Sequence, residues 1–330
     1  MTNSSNRNKY PFDALVIGAG VAGTAAALHL LASGQTVAVI HRADRRDAIE
    51  TLSPYAVSAL SKLGVSCGAN LHQVVAWWRT NETSRQRCHG ARIVRRLSLS
   101  ETLRARALDA GATLITARGI KRLARSKERW HAEWEGLGGA VAAISARAVV
   151  DATGISCWIG RQMGTARIHS DRLFAVTWPC MAHIGTGTWT ERAPHGWWNL
   201  SSIGSDATLS FFGSAKAARE ACNDFDGWFQ STKRLKSLVA RVHQGSVTIR
   251  ACGSSRLSNC AGPGWICVGD AASALQPIAS AGVAKALRDA DRVVDGLRRP
   301  EEYTRLQRGE HHHYLQALRE QYGIPQSASK

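Results

Sequence analysis

Three glycines near the N-terminus have the spacing of a turn that binds a dinucleotide. Gly18, Gly20 and Gly23 stand in the sequence GAGVAG. The first glycine of such a turn permits a sharp change of direction, the second lets a pyrophosphate approach the backbone, and the third lets helix and strand pack closely. A helix over Thr24–Ala32 is expected to follow, and the free N–H groups at its N-terminus would point at the phosphates. The sequence therefore predicts a pyrophosphate site at residues 18–23.

The elements around this turn form a complete strand–helix–strand unit. Ala14–Ile17 is a short apolar run, typical of a strand that is buried on both faces. Thr24–Ala32 is rich in good helix formers, and Gly34 stands where a helix often ends on a left-handed residue. Thr36–Ile40 predicts the second strand. A glycine turn by itself is a weak signal, whereas one inside such a unit indicates a dinucleotide fold.

The end of the second strand departs from the usual dinucleotide pattern. An Asp or Glu normally stands there and binds the ribose hydroxyls. Here the position holds His41 and Arg42. Three arrangements stay open: His41 hydrogen-bonds the ribose, Arg42 contacts a phosphate, or Asp44 reaches back to the ribose.

Length and composition indicate an ordered globular protein. With 330 residues the chain can hold one large α/β domain or two interleaved ones, and its hydrophobic content of 44% argues against disorder. The apolar stretch Ala14–Leu31 contains the glycine turn and His29, so we predict no membrane span there. The polar Met1–Lys9 predicts no signal peptide. The eight cysteines form no CxxC pair, which suits a reducing cytoplasm and argues against a disulfide or zinc framework.

The net charge of +17 is the strongest compositional bias. Between Glu82 and Arg129 there are 13 lysines and arginines against four acids. Such a surface attracts polyanions, including acidic proteins and phosphorylated cofactors. It is equally explained as a solvated, arginine-rich face. Because no nucleic-acid-binding motif accompanies the charge, we predict no nucleic-acid partner.

A second module is indicated by a change of pattern after Ile168. Alternating, aromatic strands run to Phe212, with a turn at Gly204–Asp206, and predict an antiparallel, half-buried sheet. The tryptophans of this region either line an aromatic pocket or serve as ordinary sheet core. They are Trp178, Trp189, Trp197, Trp198 and Trp228.

The remaining chain returns to the first module. Gly264–Asp270 predicts a buried strand that ends in an acid, and Val283–Leu297 predicts an amphipathic helix. His311–His313 lie in the last predicted helix. Adjacent helical residues point about 100° apart, so these histidines cannot share a metal ion, and we expect them to face solvent. No metal site is predicted.

Three separated motifs carry a resemblance to a known superfamily. GAGVAG at 18–23, DATG at 151–154 and GWICVGDAASALQPIASAGVAKAL at 264–287 together resemble the FAD-dependent monooxygenases of the p-hydroxybenzoate hydroxylase type, over nearly the whole chain. Within them the chain is most similar to the branch that holds tryptophan halogenases and the flavoproteins that modify peptidyl tryptophan during quinone-cofactor maturation. This second likeness rests on ETLSP around Glu50, RLSLSETL around Arg96, DATGISCWIGRQMG, and HGWWNLSSIGSDATLSFF.

The resemblance implies a fold and a division into domains. The expected fold is α/β: a Rossmann-like FAD-binding domain of the glutathione-reductase type with an inserted antiparallel-sheet substrate domain. The FAD-binding domain would cover residues 10–165 and 250–300, and the substrate domain residues 166–249. A C-terminal helix would occupy residues 301–330.

The resemblance also implies roles for individual residues. Arg96 would reach the ribityl–phosphate region of FAD, Asp270 would hydrogen-bond the ribityl hydroxyls, and Gly282 with Val283 would lie beside the pyrimidine end of the flavin. Gln276 stands where family members often carry Asp, and Ala281 where they often carry Gln. The full set expected to bind the cofactor is Gly18, Gly20, Val21, Ala22, Gly23, His41, Arg42, Glu50, Arg96, Gly154, Gly269, Asp270, Pro277, Ala281, Gly282 and Val283.

The implied reaction is the hydroxylation of an electron-rich aromatic ring through a flavin C4a-hydroperoxide. The expected substrate is an aromatic small molecule or an acidic protein or peptide, including one that presents a tryptophan side chain. No second GxGxxG unit is present, so NAD(P)H would visit transiently or a separate flavin reductase would supply electrons. No side chain stands out as acid or base; Glu50, His183, His195 and the pair Trp197–Trp198 are the candidates, and a structural histidine is the commoner case.

Three other activities share these motifs: a flavin-dependent dehydrogenase or reductase, a halogenase, and a flavin-binding partner protein without turnover. Halogenases of this branch resemble one another in a lysine that follows the element matched by ETLSP. Here no lysine lies between Lys62 and Lys121, and residues 197–202 read WWNLSS instead of WxWxIP. The sequence therefore disfavours halogenation.

Overall fold

The computed structural model describes residues 11–43, 47–78, 84–86 and 89–323, so the ribose candidate Asp44 lies outside the described residues. The strands are β1 (Pro11–Ile17), β2 (Val37–His41), β3 (Ile49–Leu52), β4 (Ala69–Asn70), β5 (Gln73–Trp77), β6 (Ser84–Gln86), β7 (Arg92–Arg95), β8 (Thr113–Ser126), β9 (Arg129–Gly136), β10 (Val141–Asp151), β11 (Arg167–His169), β12 (Phe174–Ala182), β13 (Gly187–Ala193), β14 (Gly196–Ile203), β15 (Asp206–Gly213), β16 (Val239–Val242), β17 (Thr248–Ala251), β18 (Ser255–Leu257), β19 (Ala261–Gly262), β20 (Trp265–Cys267) and β21 (Ser273–Ala274).

The α-helices lie between groups of strands, and the last of them is the longest. They are α1 (Val21–Ala32), α2 (Pro54–Lys62), α3 (Arg96–Asp109), α4 (Trp158–Gln162), α5 (Ala215–Asn223), α6 (Phe225–Gln230), α7 (Gly282–Asp291), α8 (Val293–Arg298) and α9 (Pro300–Tyr322). Short 3-10 turns include Gly154–Ser156, Gly269–Ala271 and Pro277–Ala279. None of the helices in the described ranges is both long and apolar enough to cross a membrane.

The first sheet has a parallel centre in which β1 lies between β2 and β10, and β20 follows β10. The last residue of β1, Ile17, pairs with Ile40 of β2 and Asp151 of β10, and Asp151 pairs with Cys267 of β20. The carboxyl ends of all four strands therefore meet at one edge, where ligands of open α/β sheets bind. The predicted α/β class is confirmed.

The second sheet runs in the order β16-β12-β15-β14-β13-β5-β6, with β17 also paired to β12. Its described pairs are antiparallel except for β13 with β5. The predicted turn at Gly204–Asp206 does join β14 to β15. Strand β5 comes from a part of the chain that the sequence placed with the first module, so the second sheet draws on two separated segments.

Two local predictions are wrong for tertiary reasons. The RLSLSETL segment suggests Ser98 as a helix cap with Glu101 as its partner, but α3 already begins at Arg96. The N–H of Arg96 donates to the carbonyl of Ala48 at 2.8 Å, so the pairing of β3 with β7 sets the start of the helix. The single helix expected over Val283–Leu297 is divided into α7 and α8.

Helix α9 fastens the first sheet to the second. The Tyr303 hydroxyl donates to the Cys267 carbonyl at 3.0 Å, and at the far end the Tyr322 carbonyl accepts from the Trp78 indole at 3.2 Å. Between them His311 is buried, and its ring nitrogens lie 3.0 Å from the Ser170 hydroxyl and 2.9 Å from the Ser273 hydroxyl. The expectation that this histidine faces solvent is wrong, since burial lowers its pKa to about 4 and keeps the ring neutral.

The fully buried Asp151 gives a test of the first sheet. Its carboxylate accepts from the backbone N–H groups of Thr153 at 3.0 Å, Ile159 at 2.6 Å and Gly160 at 3.2 Å. We expect Asp151→Asn to lower the free energy of unfolding by about 2–4 kcal/mol, because the new amide N–H₂ must face buried donors. Urea unfolding measures the loss, and the exposed Asp226→Asn is the control. Equal stability of the two variants would contradict this account.

Candidate cofactor site

The three glycines of the turn have different surroundings. Gly18 has φ +108°, and a Cβ atom there would clash with the Ala152 carbonyl. A Cβ atom at Gly23 would clash with the carbonyl of Gly18. At Gly20, by contrast, a Cβ atom would meet no described protein atom within 4 Å. The first and third glycines thus serve close packing of the backbone, whereas the second faces open space.

Two helices begin beside this space without a cap. No described side chain caps α1 at Gly20 or α7 at Ala281, and the first turns of both helices lack acids. The first turn of α1 and the middle of α7 meet at Gly269, where an added Cβ atom would lie 2.7 Å from the Cβ of Ala22 in α1 and 3.8 Å from that of Ala286 in α7. Free N–H groups and the helix dipoles make such ends favourable for negative charge.

Asp270 lies in the 3-10 turn between these helices. Its backbone carbonyl accepts from Arg167 at 2.7 Å, while its carboxylate accepts no hydrogen bond from the described residues. Burial raises the pKa of this carboxyl above its ordinary value of 3.8, and the nearby charges of Lys285 and Arg96 act in the opposite direction. The half-buried carboxylate is therefore an acceptor without a donor, as a polyol ligand requires.

A buried ion pair supports this turn, and the sequence analysis missed it. Lys285 and Asp289 lie four residues apart on α7, are 4% and 0% exposed, and approach to 2.5 Å. Asp289 also accepts from the N–H of Gly269 at 2.9 Å, and Lys285 donates to the carbonyl of Gly269 at 3.2 Å. The i,i+4 spacing of opposite charges on an otherwise apolar helix face was the available signal.

Glu50 and Arg96 form a second ion pair near Asp270. β3 and β7 pair so that the Arg96 guanidinium donates to the Glu50 carboxylate at 2.8 Å. Both charges act on the Asp270 carboxyl: Arg96 lowers its pKa and Glu50 raises it. The structure therefore brings together Glu50, Arg96 and Asp270, three residues that the sequence assigned to the cofactor.

The remaining cofactor candidates surround the same edge. Gly154 has φ +69° and lies in the turn that packs on the Asp270 turn. His41 is engaged on both ring nitrogens, with the Arg42 carbonyl at 2.9 Å and the Thr116 hydroxyl at 3.3 Å. Arg42 is exposed. The role of either residue at the ribose stays a prediction.

Pro277 begins the turn that leads into α7. The preceding Gln276 is buried, and its side chain donates to the Asp171 carboxylate at 3.3 Å. Its backbone carbonyl accepts from the Tyr314 hydroxyl at 2.8 Å. The position that differs from the resembling family is thus bonded to α9 and to the segment before β12.

The catalytic candidates are not gathered into one site. His183 and His195 are exposed, and His195 lies in the β13–β14 turn, with its ring 5.9 Å from that of Trp228. Trp198 is fully buried against Trp178, so it packs as sheet core. Among these candidates only Glu50 lies near Asp270, and its carboxylate accepts a hydrogen bond from Arg96.

No protein-family profile matches the chain, and no curated protein matches it either. Solved structures do. The myxobacterial chondrochloren halogenase CndH, a variant of FAD-dependent halogenases, aligns with a TM-score of 0.84 at 20% identity over 97% of this chain and 84% of its own. The peptidyl tryptophan dihydroxylase QhpG aligns with a TM-score of 0.67 at 22% identity, over 94% of this chain and 72% of its own. A flavoprotein/dehydrogenase from Cytophaga hutchinsonii aligns with a TM-score of 0.75 at 18% identity, over 90% of this chain and 79% of its own.

The chain has the fold of the FAD-dependent halogenases. The same fold is that of the peptidyl tryptophan dihydroxylase, so the resemblance drawn from the sequence motifs is confirmed at the level of the fold. At these identities the likeness establishes the fold alone.

The raised pKa of Asp270 predicts how stability depends on pH. Burial disfavours the ionised Asp270 carboxylate in the ligand-free protein. The stability that the protonated carboxyl contributes is fully present below pH 3.8, its ordinary pKa, and is lost as pH rises through the raised folded-state pKa. We expect ligand-free Asp270→Asn to be more stable than the parent protein at pH 7, with a difference that shrinks as pH falls towards 4. Urea unfolding at several pH values between 4 and 7 measures this difference in stability. Asp109→Asn, which removes an exposed carboxylate, controls for net charge, and a parent protein more stable than Asp270→Asn at pH 7 would contradict the assignment.

Proposed function

We propose that the protein binds FAD without a covalent link at the carboxyl edge of its first sheet and acts as an FAD-dependent oxidoreductase. One observation carries this proposal: two uncapped helix starts, the open space at Gly20 and the unpaired Asp270 carboxylate converge on one edge. The anionic pyrophosphate of a dinucleotide suits the helix starts and the open space at Gly20. Its hydroxyl groups are donors for the Asp270 carboxylate. The folds of CndH and QhpG support the choice of FAD.

Each part of the edge has a task in this proposal. The backbone from Gly18 to Gly23 holds the pyrophosphate, and Asp270 accepts from the ribityl hydroxyls. The start of α7, at Gly282 and Val283, stabilises negative charge on the reduced ring system. The bound cofactor would supply the redox chemistry, activating dioxygen and delivering an oxygen atom to the substrate.

We further propose a monooxygenase that acts on an aromatic ring, including a tryptophan side chain of a peptide. The missing halogenase lysine between Lys62 and Lys121 favours this over halogenation, and QhpG has the same fold. A dehydrogenase is the second candidate, favoured by the fold it shares with the Cytophaga flavoprotein/dehydrogenase. In either case this chain orients the substrate and excludes water from the site.

Substitutions at Gly20 test the cofactor site. Gly20 precedes α1 with φ −78°, a conformation that any residue adopts, and Asp is a good helix cap. Gly20→Asp should therefore keep or raise the stability of the ligand-free protein and abolish FAD binding, because its carboxylate opposes the pyrophosphate. Flavin absorbance after desalting, together with urea unfolding, measures both effects.

Gly20→Asn is the matched control, since it adds the same bulk and the same cap without charge and should lose less affinity. In the same titration Asp270→Asn should lose about 1–3 kcal/mol of FAD binding, the cost of a charged acceptor. Purified Gly20→Asp protein that retains FAD would refute the proposed site.

The reaction class is tested with isotopic oxygen. Photoreduced FAD-loaded protein, mixed with substrate and ¹⁸O₂, should give a product that gains labelled oxygen without any halide present. Photoreduction makes the test independent of NAD(P)H or a reductase. Oxidised, unlabelled product formed anaerobically by protein loaded with oxidised FAD, with reduction of the flavin, would replace the monooxygenase with the dehydrogenase. A product formed only with halide would establish halogenation.

A further inference from the structure

Arg167 of β11 binds the Asp270 turn to two other elements. Its Nη2 atom donates to the carbonyls of Asp270 at 2.7 Å and Ala271 at 3.0 Å. Its Nη1 atom donates to the Ser255 hydroxyl of β18 at 2.7 Å, and its Nε atom donates to the Cys157 sulfur at 3.4 Å. All of these acceptors are uncharged. The contacts therefore fix the guanidinium in place, while no described carboxylate pairs with its positive charge.

The three cations that act on the Asp270 carboxyl differ in their pairing. Two of them are bound to carboxylates of their own. These pairs are Lys285 with Asp289 and Arg96 with Glu50. Arg167, the third, forms no ion pair in the described part of the chain. The turns at 154–156 and 273–274, which also pack on the Asp270 turn, contain no charged residue. The charge of Arg167 is thus left for Asp270.

The way in which Arg167 is bound keeps the Asp270 carboxylate available to a ligand. A direct ion pair would occupy the carboxylate oxygens. A guanidinium bound to the backbone carbonyl of the same residue favours the negative charge by proximity and leaves both oxygens open. Burial acts in the opposite direction, since it raises the pKa of this carboxyl, whereas Arg167 lowers that pKa. A protonated carboxyl would present an O–H donor where ligand hydroxyl groups need an acceptor.

We propose that Arg167 is the counter-ion that keeps the Asp270 carboxylate ionised, and so able to accept hydrogen bonds from the hydroxyl groups of the cofactor. Arg167 acts through Asp270, which makes it a positioning residue. The inference rests on the proposed function. A role confined to tying β11, β18 and the Asp270 turn together would not depend on the ionisation of Asp270, and this difference separates the two roles by experiment.

Urea unfolding of the ligand-free protein measures the charge effect without any cofactor. Asp270→Asn is made in the parent protein and in Arg167→Gln, and its effect on the unfolding equilibrium is compared at pH 8 and pH 4. Loss of the cation disfavours the ionised carboxylate further. At pH 8 Asp270→Asn should therefore stabilise Arg167→Gln about 10-fold more than it stabilises the parent, the factor that corresponds to one pKa unit. At pH 4, where the folded-state carboxyl is protonated, its effect should be nearly the same in both.

Ser255 offers a second route to the same change of charge without removal of the arginine. Its buried hydroxyl accepts from Arg167, so Ser255→Asp gives the guanidinium a carboxylate partner. Ser255→Asn has the same bulk without the charge and is the matched control. Ser255→Asp should reproduce the effect of Arg167→Gln on the Asp270→Asn comparison at pH 8. Ser255→Asn should not, and neither should Arg167→Lys, which keeps the charge and loses the planar fork.

Titration with FAD between pH 8 and pH 5.5 measures the consequence for cofactor binding. The ligand hydroxyls bind the ionised carboxylate, so FAD affinity falls as Asp270 becomes protonated. In Arg167→Gln this fall should begin about 1 pH unit higher than in the parent protein. It should be absent when Arg167→Gln is combined with Asp270→Asn. Arg219→Gln removes an exposed arginine from α5 in the second module, so it controls for net charge and should keep the pH profile of the parent.

The inference is overturned if Arg167→Gln lowers FAD affinity by the same factor at every pH, or if Arg167→Lys shifts the pH profile as far as Arg167→Gln does. It is also overturned if the Asp270→Asn comparison at pH 8 is unchanged by Ser255→Asp, and this pair of Ser255 variants decides the question where Arg167→Gln does not fold. A parent protein that takes up no FAD refutes the proposed function, and the unfolding comparison then still shows whether Arg167 is the counter-ion of Asp270.

Discussion

The candidate site around Asp270 depends on one buried carboxylate, that of Asp289. It is fully buried and binds the N–H of Gly269, the ammonium of Lys285 at 2.5 Å and the side-chain amide of Gln307 at 2.6 Å. These partners belong to the Asp270 turn, α7 and α9. A buried charge that loses one partner is strongly destabilising, so the three elements must assemble together. These bonds fix the position of Asp270 through its neighbour Gly269. The carboxylate of Asp270 takes part in none of them.

Small side chains complete this arrangement because α1 and α7 pack closely against one turn. Gly269 lies between Ala22 and Ala286, and its φ of +62° suits glycine. Helix α9 carries the same constraint to the second sheet, since it binds Asp289 through Gln307 and Trp78 through Tyr322. The relation of the second sheet to the Asp270 turn therefore depends on a contact between residues that are 244 positions apart in the sequence.

The local unit was predictable and the long-range contacts were not. Glycine spacing and apolar runs predict the turn, α1 and β2, because these features depend on neighbouring residues. Strand β5 joins the second sheet by pairing with β13, about 110 residues later, and nothing in Gln73–Trp77 marks its partner. His311–His313 were expected to face solvent together, but the packing of α9 buries His311 and leaves the other two exposed. The ion pair of Glu50 with Arg96 likewise follows from the pairing of β3 with β7.

Several unused hydrogen-bonding groups lie at the carboxyl edge of the first sheet. Two helices begin without a cap, and the Asp270 carboxylate accepts no hydrogen bond from the described residues. Each of these features costs stability that a cap or an asparagine would restore. Elsewhere the buried carboxylates are fully bonded, as Asp151 and Asp289 show. Natural sequences accept local conflicts of this kind at functional sites. Because the unsatisfied groups at the glycine turn and at Asp270 lie around one edge of the first sheet, the proposed cofactor would supply the partners that the protein itself does not.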